Sequence, residues 1–564
     1  MRPFVLRLVC MSFAAIVMAG CEKSPKTAGD TNSNAAPPAP GPAVELLFTY
    51  GSEKESWINA VTADFHARNF KTASGKYIRV KTVAKGSGEC MDDIISGTTQ
   101  AHLTSPASAA FIKLANAQWR TKTGKDLVAS TDNLVLSPVV IGMWQPMAEA
   151  LGWGHQKIGW SDILALSQDP KGWAAHGNAQ WGRFKFGHTH PLYSNSGLIS
   201  ILAEVYAASG KLGGLTPADA ARPEVARYVS GIEQSVVHYG SSTGFFSRKM
   251  FANGPAYLSA AVMYENMVIE SRAQQNLAFP IVAIYPKEGT FWSDHPVGIV
   301  EREWVTPEQR EAAKQYIAFL LERHQQERAM EFGFRPALAD VPLAAPFDTA
   351  HGVDPREPQT TLEVPSADTM DAIVRLWQEN KKHANLTLVI DVSGSMNDQQ
   401  RLVNARAGAQ EMLKVLDSAD YFQLMPFNNT IFPTSPAAQL KGTRDQQIRA
   451  VGSLIANGGT ALYDAIATAY REQTKNAEQN ADKISAIVVL TDGDDTDSKM
   501  SLDNLLALVR SDSEKKSIRI FTIGYGSDAR KDVLQKIADA TNAKFYVGAP
   551  ENIREVFKDI STFF

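Results

Sequence analysis

The chain has 564 residues, of which 44% are hydrophobic and 21% charged, with a formal net charge of −4. That length is too great for one hydrophobic core and divides into two to four domains. The composition is that of soluble globular domains; it gives no electrostatic basis for binding nucleic acid, and no block of like charge forms an interaction tail.

The N-terminal stretch "MRPFVLRLVCMSFAAIVMAGC" places Arg2 and Arg7 ahead of an apolar run that ends in small residues. This is the layout of a secretory signal over residues 1–20, too short for a comfortable membrane span. Ala19 and Gly20 directly before Cys21 resemble a bacterial lipobox, although Met18 stands where leucine is usual. The resemblance implies cleavage before Cys21 and lipidation of its thiol; the simpler alternative is an ordinary cleaved signal followed by a chance cysteine. Acyl chains on Cys21 would hold the protein at a membrane, since each buried CH₂ contributes roughly 0.8 kcal/mol. With Cys10 in the signal and Cys21 lipidated, Cys90 is the remaining thiol. No internal disulfide is then available, and Cys90 reads as a small packed residue near a loop rather than a reactive one. Residues 21–43, polar and rich in proline and alanine, carry no core-forming pattern and read as the lipid anchor and its tether.

Residues 44–338 alternate strand, turn and helix in the manner of an α/β fold. "VELLFTY" is a strand, Gly51-Ser52 a turn, and Trp57, Val61 and Phe65 recur on one helix face. "YIRVKTV" is a second strand. A long helix runs through "TPEQREAAKQYIAFLLERHQQERAMEFG", with Thr306 as its cap and Pro307 in its first turn. Residues 339–383 are a proline-rich linker followed by a helix over "SADTMDAIVRLWQEN". Residues 384–564 then alternate regularly: "NLTLVID", "DYFQLMPFN", "ISAIVVLTDG", "IRIFTIGYG" and "AKFYVG" are strands separated by amphipathic helices. These strands are continuous apolar runs, so both faces are covered and the sheet is mainly parallel and doubly wound.

In such a sheet, ligands bind where loops leave the carboxyl ends of the strands. Asp391 ends an apolar strand, with Ser393 and Ser395 at alternate positions after it; Thr460 precedes a helix after two glycines; Asp492 ends a later strand in "LTDGDD". Two carboxylates and three hydroxyls make a set of hard oxygen ligands, suited to Mg²⁺, Mn²⁺ or Ca²⁺ rather than to zinc or copper. "DVSGS", the threonine of "GGT" and the aspartate of "TDG" resemble, in order, all parts of the metal-ion-dependent adhesion site of a von Willebrand factor type A domain. The resemblance implies a Rossmann-like fold in which Asp391, Ser393, Ser395, Thr460 and Asp492 hold a divalent cation, Mg²⁺ first with Ca²⁺ or Mn²⁺ as alternatives. It also implies that an acidic residue of a partner protein completes the coordination. The bland reading of each motif alone is a helix cap. Asp494, Asp495 and Asp497 lack the glycine and distant glutamate of an EF-hand loop and read as a solvated acidic loop.

Residues 44–338 resemble a bacterial extracellular solute-binding protein with two α/β lobes around a cleft. The stretches "LLFTYGSEKESW", "GSGECMDDIISGTTQAHLTSPAS", "LYSNSGLISILAEVY" and "AAVMYENMVI" carry the likeness. By position, Ser52, Ser105, Ser194, Ser196 and Tyr264 would face a small solute or oxyanion, held by hydroxyls and helix N-termini; the alternative is a receptor fold retained as an interaction scaffold. His188 and His190 could share one side of a strand as metal ligands, but without a third ligand they read as ordinary histidines. No nucleophile elbow, P-loop or zinc-hydrolase helix is present in the sequence, so no catalytic residue is assigned.

These features predict a non-catalytic, lipid-anchored protein of the bacterial cell envelope, facing the periplasm or exterior. Its C-terminal domain would engage a partner protein through a divalent metal. The alternative is the receptor component of an ABC-type importer with an accessory C-terminal domain. Hinge closure of the cleft would change which surfaces face each other, so a link between the cleft and the metal site is a further expectation.

Overall fold

The computed structural model describes residues 33–34, 39–432, 436–479, 483–510, 518–526, 528–550 and 552–564. The described residues all lie in one compact unit, Asn32–Phe564. The expected signal, Cys21 and most of the expected tether lie outside the described residues. Among the described residues, no helix is long and apolar enough to cross a membrane.

Among the described residues, three mixed sheets build this unit. In the first, strand Ala43–Gly51 lies parallel to Tyr77–Lys85 on one side and to Leu103–Ser105 on the other. Pro296–Val300 and Val128–Asn133 continue it in antiparallel fashion. Trp57, Val61 and Phe65 are buried in the core beneath it, and Phe65 stacks on Phe70 at 4.7 Å. The second sheet is built on Val135–Trp144, which pairs antiparallel with Ala260–Tyr264, Ile281–Ile284 and Trp292–Ser293. These two sheets are the cores of two lobes. The chain crosses from the first to the second at Leu134 and returns at Asp294-His295, where the Leu134 amide donates to the His295 carbonyl (3.2 Å).

His295 holds this crossing in a left-handed conformation (φ 38°), which costs a non-glycine residue roughly 1–2 kcal/mol. Its surroundings impose that backbone. Its ring is fully buried, with Nδ1 3.1 Å from Lys54 Nζ and 3.4 Å from Glu53 Oε1, and Lys54 donates to Glu53 at 2.6 Å. Burial and the Lys54 charge depress His295 to about 4. Burial opposes ionisation of Glu53, but the charge and hydrogen bond of Lys54 outweigh it and hold the carboxyl at about 2.

Two expectations are corrected here. The single helix expected after Thr306 is two, Pro307–Leu320 and Arg323–Glu331. Glu322 leaves the helical region, and the Gln326 side-chain amide bridges the carbonyls of Leu320 and Leu134 at the break. Thr306 does cap the first helix, accepting from the Gln309 amide. Cys90 is buried inside helix Ser87–Ser96 rather than beside a loop, and burial pushes its thiol up to about 12.

The proline-rich segment after residue 338 is laid along the second lobe. Val341, Phe347, Val353 and Leu362 are buried, the Ala283 amide donates to the Gly352 carbonyl and the Leu362 amide to Thr290. Helix Ala367–Asn380 follows, with its Trp377 ring 5.0 Å from His190 and 5.2 Å from Tyr239.

The third sheet runs Ala438–Gln439, Tyr421–Phe427, Ala384–Asp391, Ile484–Thr491, Arg519–Tyr525, Phe545–Gly548, parallel except at its first edge. Leu386, Leu388 and Ile390 pack on one face with helices Arg401–Val415 and Ile553–Ser561, while Val389, Ile487 and Val489 meet helices Leu462–Gln479 and Lys531–Ala540 on the other. Helix Ile553–Ser561 was not foreseen, although Ile553, Val556, Phe557 and Ile560 mark a buried stripe. This domain joins the second lobe: the Tyr239 amide donates to the Phe563 carbonyl (3.2 Å), Lys249 to the Ala543 carbonyl (2.6 Å), and the Phe563 ring lies 5.8 Å from His238.

Two outcomes are expected. A histidine depressed in the folded state stabilises fully above its unfolded value of about 6.5, and that contribution is lost as pH falls toward 4. His295→Asn, which tolerates positive φ, should therefore flatten the decline of unfolding free energy between pH 6.5 and 4 by up to about 1.4 kcal/mol per pH unit in denaturant titrations. Trp377→Ala should cost about 3–5 kcal/mol and open the chain to trypsin at Lys381 and Lys382.

Candidate metal site and interlobe cleft

In chain order the third sheet reads 3-2-1-4-5-6, so its switch point falls between Ala384–Asp391 and Ile484–Thr491, where ligands bind in open α/β sheets. Asp391 ends one of these strands, and Asp492 follows the other. Both are fully buried.

The two loops are tied together by the candidate ligands. Asp391 Oδ1 accepts from the Ser393 amide (2.8 Å) and Oδ2 from Thr491 Oγ1 (2.5 Å). Ser393 Oγ and Ser395 Oγ are 3.1 Å apart, and Ser395 Oγ donates to Asp492 Oδ1 (2.8 Å). Thr460 comes from the neighbouring loop, which is zipped to the first by the Gly394 amide on the Gly458 carbonyl (2.9 Å) and the Asn457 amide on the Val392 carbonyl (2.8 Å). Gly458 sits at φ 79°, and a Cβ there would meet Asn428 and Asn429, so this approach favours glycine.

Burial pushes Asp391 up to about 6; the Asp492 charge adds to this, while hydrogen bonds from Thr491 and Ser393 oppose it. A cation beside the two carboxylates would relieve that cost. The donor set is all oxygen, and each carboxylate oxygen can accept more than one partner, so the residues fit a hard divalent cation.

Three supports were not anticipated. Arg401 Nη1 donates to Asp492 Oδ2 (2.7 Å), and Nη2 reaches Asp528 (3.1 Å). Gln399 and Gln400, both left-handed (φ 48° and 58°), turn the chain into the helix that carries Arg401. The acidic loop is solvated at Asp494 and Asp497 but also positions Thr460: Asp497 Oδ2 accepts from the Thr460 amide (2.9 Å), and Asp495 Oδ1 from the Tyr463 amide (3.2 Å). Gly394 is exposed and Ser395 half-buried at the rim. Ile455, 77% exposed, stands on the loop leading to Asn457.

In the N-terminal lobes, Ser52, Ser105, Ser194, Ser196 and Tyr264 are all buried. Ser52 Oγ accepts from the Gly244 amide (3.1 Å), Thr243 Oγ1 donates to Ser196 Oγ (2.9 Å) and lies 3.2 Å from Ser194 Oγ, and the Tyr264 hydroxyl accepts from Asn195 (3.1 Å). These four therefore gather around the Thr243-Gly244 helix start. Ser105 instead donates to the His295 carbonyl (3.5 Å) at the crossing. Asn195 Oδ1, Asn266 Oδ1 and His295 Nε2 are buried without hydrogen-bond partners among the described residues. Sequence reading missed Asn195, Thr243 and His295 because nothing local marks them.

Residues 385–559 match the von Willebrand factor type A domain, and residues 67–354, just over half of the chain, match the bacterial extracellular solute-binding protein family. An inter-alpha-trypsin inhibitor heavy chain of Mesocricetus auratus is 26% identical over 163 residues, covering 28% of this chain and 17% of that protein. An uncharacterized protein of Mycobacterium tuberculosis is 21% identical over 440 residues, covering 75% of this chain and 62% of the relative. The chain thus spans less than two thirds of the length of these curated relatives. Similar solved structures include a von Willebrand factor type A protein from Catenulispora acidiphila (24% identity, 32% of this chain and 42% of that one, TM-score 0.28). A ferric binding protein from Campylobacter jejuni is also similar (13% identity, 59% and 99% coverage, TM-score 0.40). The chain belongs to the bacterial extracellular solute-binding proteins and carries a C-terminal von Willebrand factor type A domain.

Proposed function

We propose that this is a non-catalytic binding protein of the bacterial cell envelope, anchored through a lipid on Cys21, whose C-terminal domain engages a partner protein through a divalent cation. The observation that carries the reading is the hydrogen-bonded run from Asp391 through Ser393 and Ser395 to Asp492 at the sheet's switch point. Asp391, Ser393, Ser395, Thr460 and Asp492 would hold the cation, Mg²⁺ before Ca²⁺ or Mn²⁺. The cation supplies a positive centre for a partner carboxylate. Arg401 fixes Asp492, Asp497 fixes the Thr460 backbone, and exposed Ile455 offers apolar contact beside the rim.

A second reading, a solute receptor serving an importer, draws on the buried polar groups where the two lobes meet. The unpartnered Asn195 Oδ1 and Asn266 Oδ1 are acceptors. Because Lys54 donates to His295 Nδ1 in the neutral ring, the buried Nε2 carries a proton and can donate. The two acceptors suit a small polar solute that itself carries donors, while the His295 N–H and the surrounding hydroxyls are the groups that could donate to an oxyanion.

The partner reading predicts that Mg²⁺ raises the melting temperature of the wild-type protein and permits capture of a partner from envelope extract. Asp391→Ala should lose both effects while keeping the His295-dependent pH profile of the N-terminal lobes; equal capture by Asp391→Ala, or by wild type in EDTA, would overturn the reading. The receptor reading predicts that native mass spectrometry of protein purified without denaturation finds a small molecule retained by wild type and lost in Asn195→Leu. A wild-type chain that carries none and gains no thermal stability from sulfate, phosphate or sugar phosphates would reject it.

A further inference from the structure

Three titratable side chains that take no part in the hard-oxygen site converge inside the second lobe. His188 follows the short strand Phe186–Gly187, Glu204 lies in helix Asn195–Ser209, and Glu233 is the last residue of helix Pro223–Glu233. All three are fully buried. Their candidate ligand atoms all lie within 4.8 Å of one another.

The orientation of each group is set by a neighbour. His188 Nδ1 is 2.8 Å from the Thr189 carbonyl oxygen. A carbonyl only accepts, so Nδ1 carries the proton and Nε2 faces the carboxylates, 2.9 Å from Glu233 Oε1. Glu233 Oε2 accepts from the Tyr239 hydroxyl (2.6 Å), and Glu204 Oε1 from Ser200 Oγ (3.0 Å). Glu204 Oε2 is buried with no hydrogen-bond partner among the described residues. An outer ring of carbonyl and hydroxyl groups that fixes an imidazole and two carboxylates is the usual support of a metal centre. No lysine or arginine is among the hydrogen-bond and ion-pair partners described for these three groups. Two buried carboxylates and one imidazole therefore lack a matching positive charge unless protons or a cation supply it. In the absence of a cation, burial and the Glu233 charge push Glu204 well above the usual carboxylate range.

We propose that His188, Glu204 and Glu233 form a second metal site, taking a first-row divalent cation of the zinc type. One nitrogen and two carboxylate ligands suit zinc, which binds both at about 2.0–2.2 Å. Ligand atoms on one such ion lie at most about 4.4 Å apart, so side-chain shifts of a few tenths of an ångström close the site. Enclosure makes the role structural. The ion would cross-link two helices and the strand end directly beneath Tyr239, whose ring packs on Trp377 and whose amide meets the Phe563 carbonyl. It would thereby stiffen the ground on which the C-terminal domain sits.

The test uses the full chain carrying Asp391→Ala, which removes the other site, produced in zinc-supplemented medium. Metal analysis should find about one zinc per chain, and X-ray absorption should show nitrogen and oxygen ligation with an imidazole signature. Glu204→Gln, which keeps the Ser200 hydrogen bond, should reduce zinc content at least tenfold and abolish the zinc-dependent rise in melting temperature. If the cluster merely holds protons, Glu204→Gln will leave metal content and zinc response unchanged, and that result overturns the proposal. Should Glu204→Gln not fold, the X-ray absorption of the zinc-loaded parent decides alone: absence of imidazole scattering overturns the assignment.

Discussion

The parallel pairing of Ala384–Asp391 with Ile484–Thr491 is the constraint on which the candidate site depends. Seven consecutive register pairs, from Ala384 opposite Ile484 to Ile390 opposite Leu490, leave no freedom in where the two strands end. Asp391 and Asp492 are thereby carried to the same rim from positions about a hundred residues apart. Buried carboxylates so close are costly, and the structure meets the cost unequally. Asp492 receives a guanidinium from Arg401, whereas the partners described for Asp391 are an amide and hydroxyls, all uncharged. That asymmetry leaves Asp391 the less compensated of the two carboxylates.

The same logic operates in the two lobes. At the interlobe crossing, Lys54 offsets Glu53, and His295 stays neutral between them. In the second lobe, the pair His188–Glu233 is close, but Glu204 is left with an unmatched oxygen. Buried charge is thus either paired on the spot or left with unmatched hydrogen-bonding capacity. Each unmatched group lies where separate elements meet rather than within one element.

The C-terminal domain is joined to the second lobe by the Trp377 ring on Tyr239, the Tyr239 amide on the Phe563 carbonyl, and the Phe563 ring on Phe521. Cationic side chains seal its edge, with Arg519 over the Tyr257 ring at 4.8 Å and Lys544 over Phe245 at 4.5 Å. The lobe and the sheet therefore share one packed boundary.

The sequence by itself determined what depends on local pattern. Continuous apolar runs marked the buried parallel strands, the Asp-x-Ser-x-Ser, Thr and Asp motifs marked the switch-point loops, and Thr306-Pro307 marked a helix start. Helix Ile553–Ser561 carried a legible stripe that the alternation of longer elements obscured. Tertiary structure alone decided which distant groups meet: Arg401 with Asp492, Asp497 with Thr460, His295 with Lys54, and His188 with Glu204 and Glu233. Periodicity records which face of an element is buried, whereas the partner across that face is set by how elements stack. A charge is matched or left unmatched only after that stacking is complete.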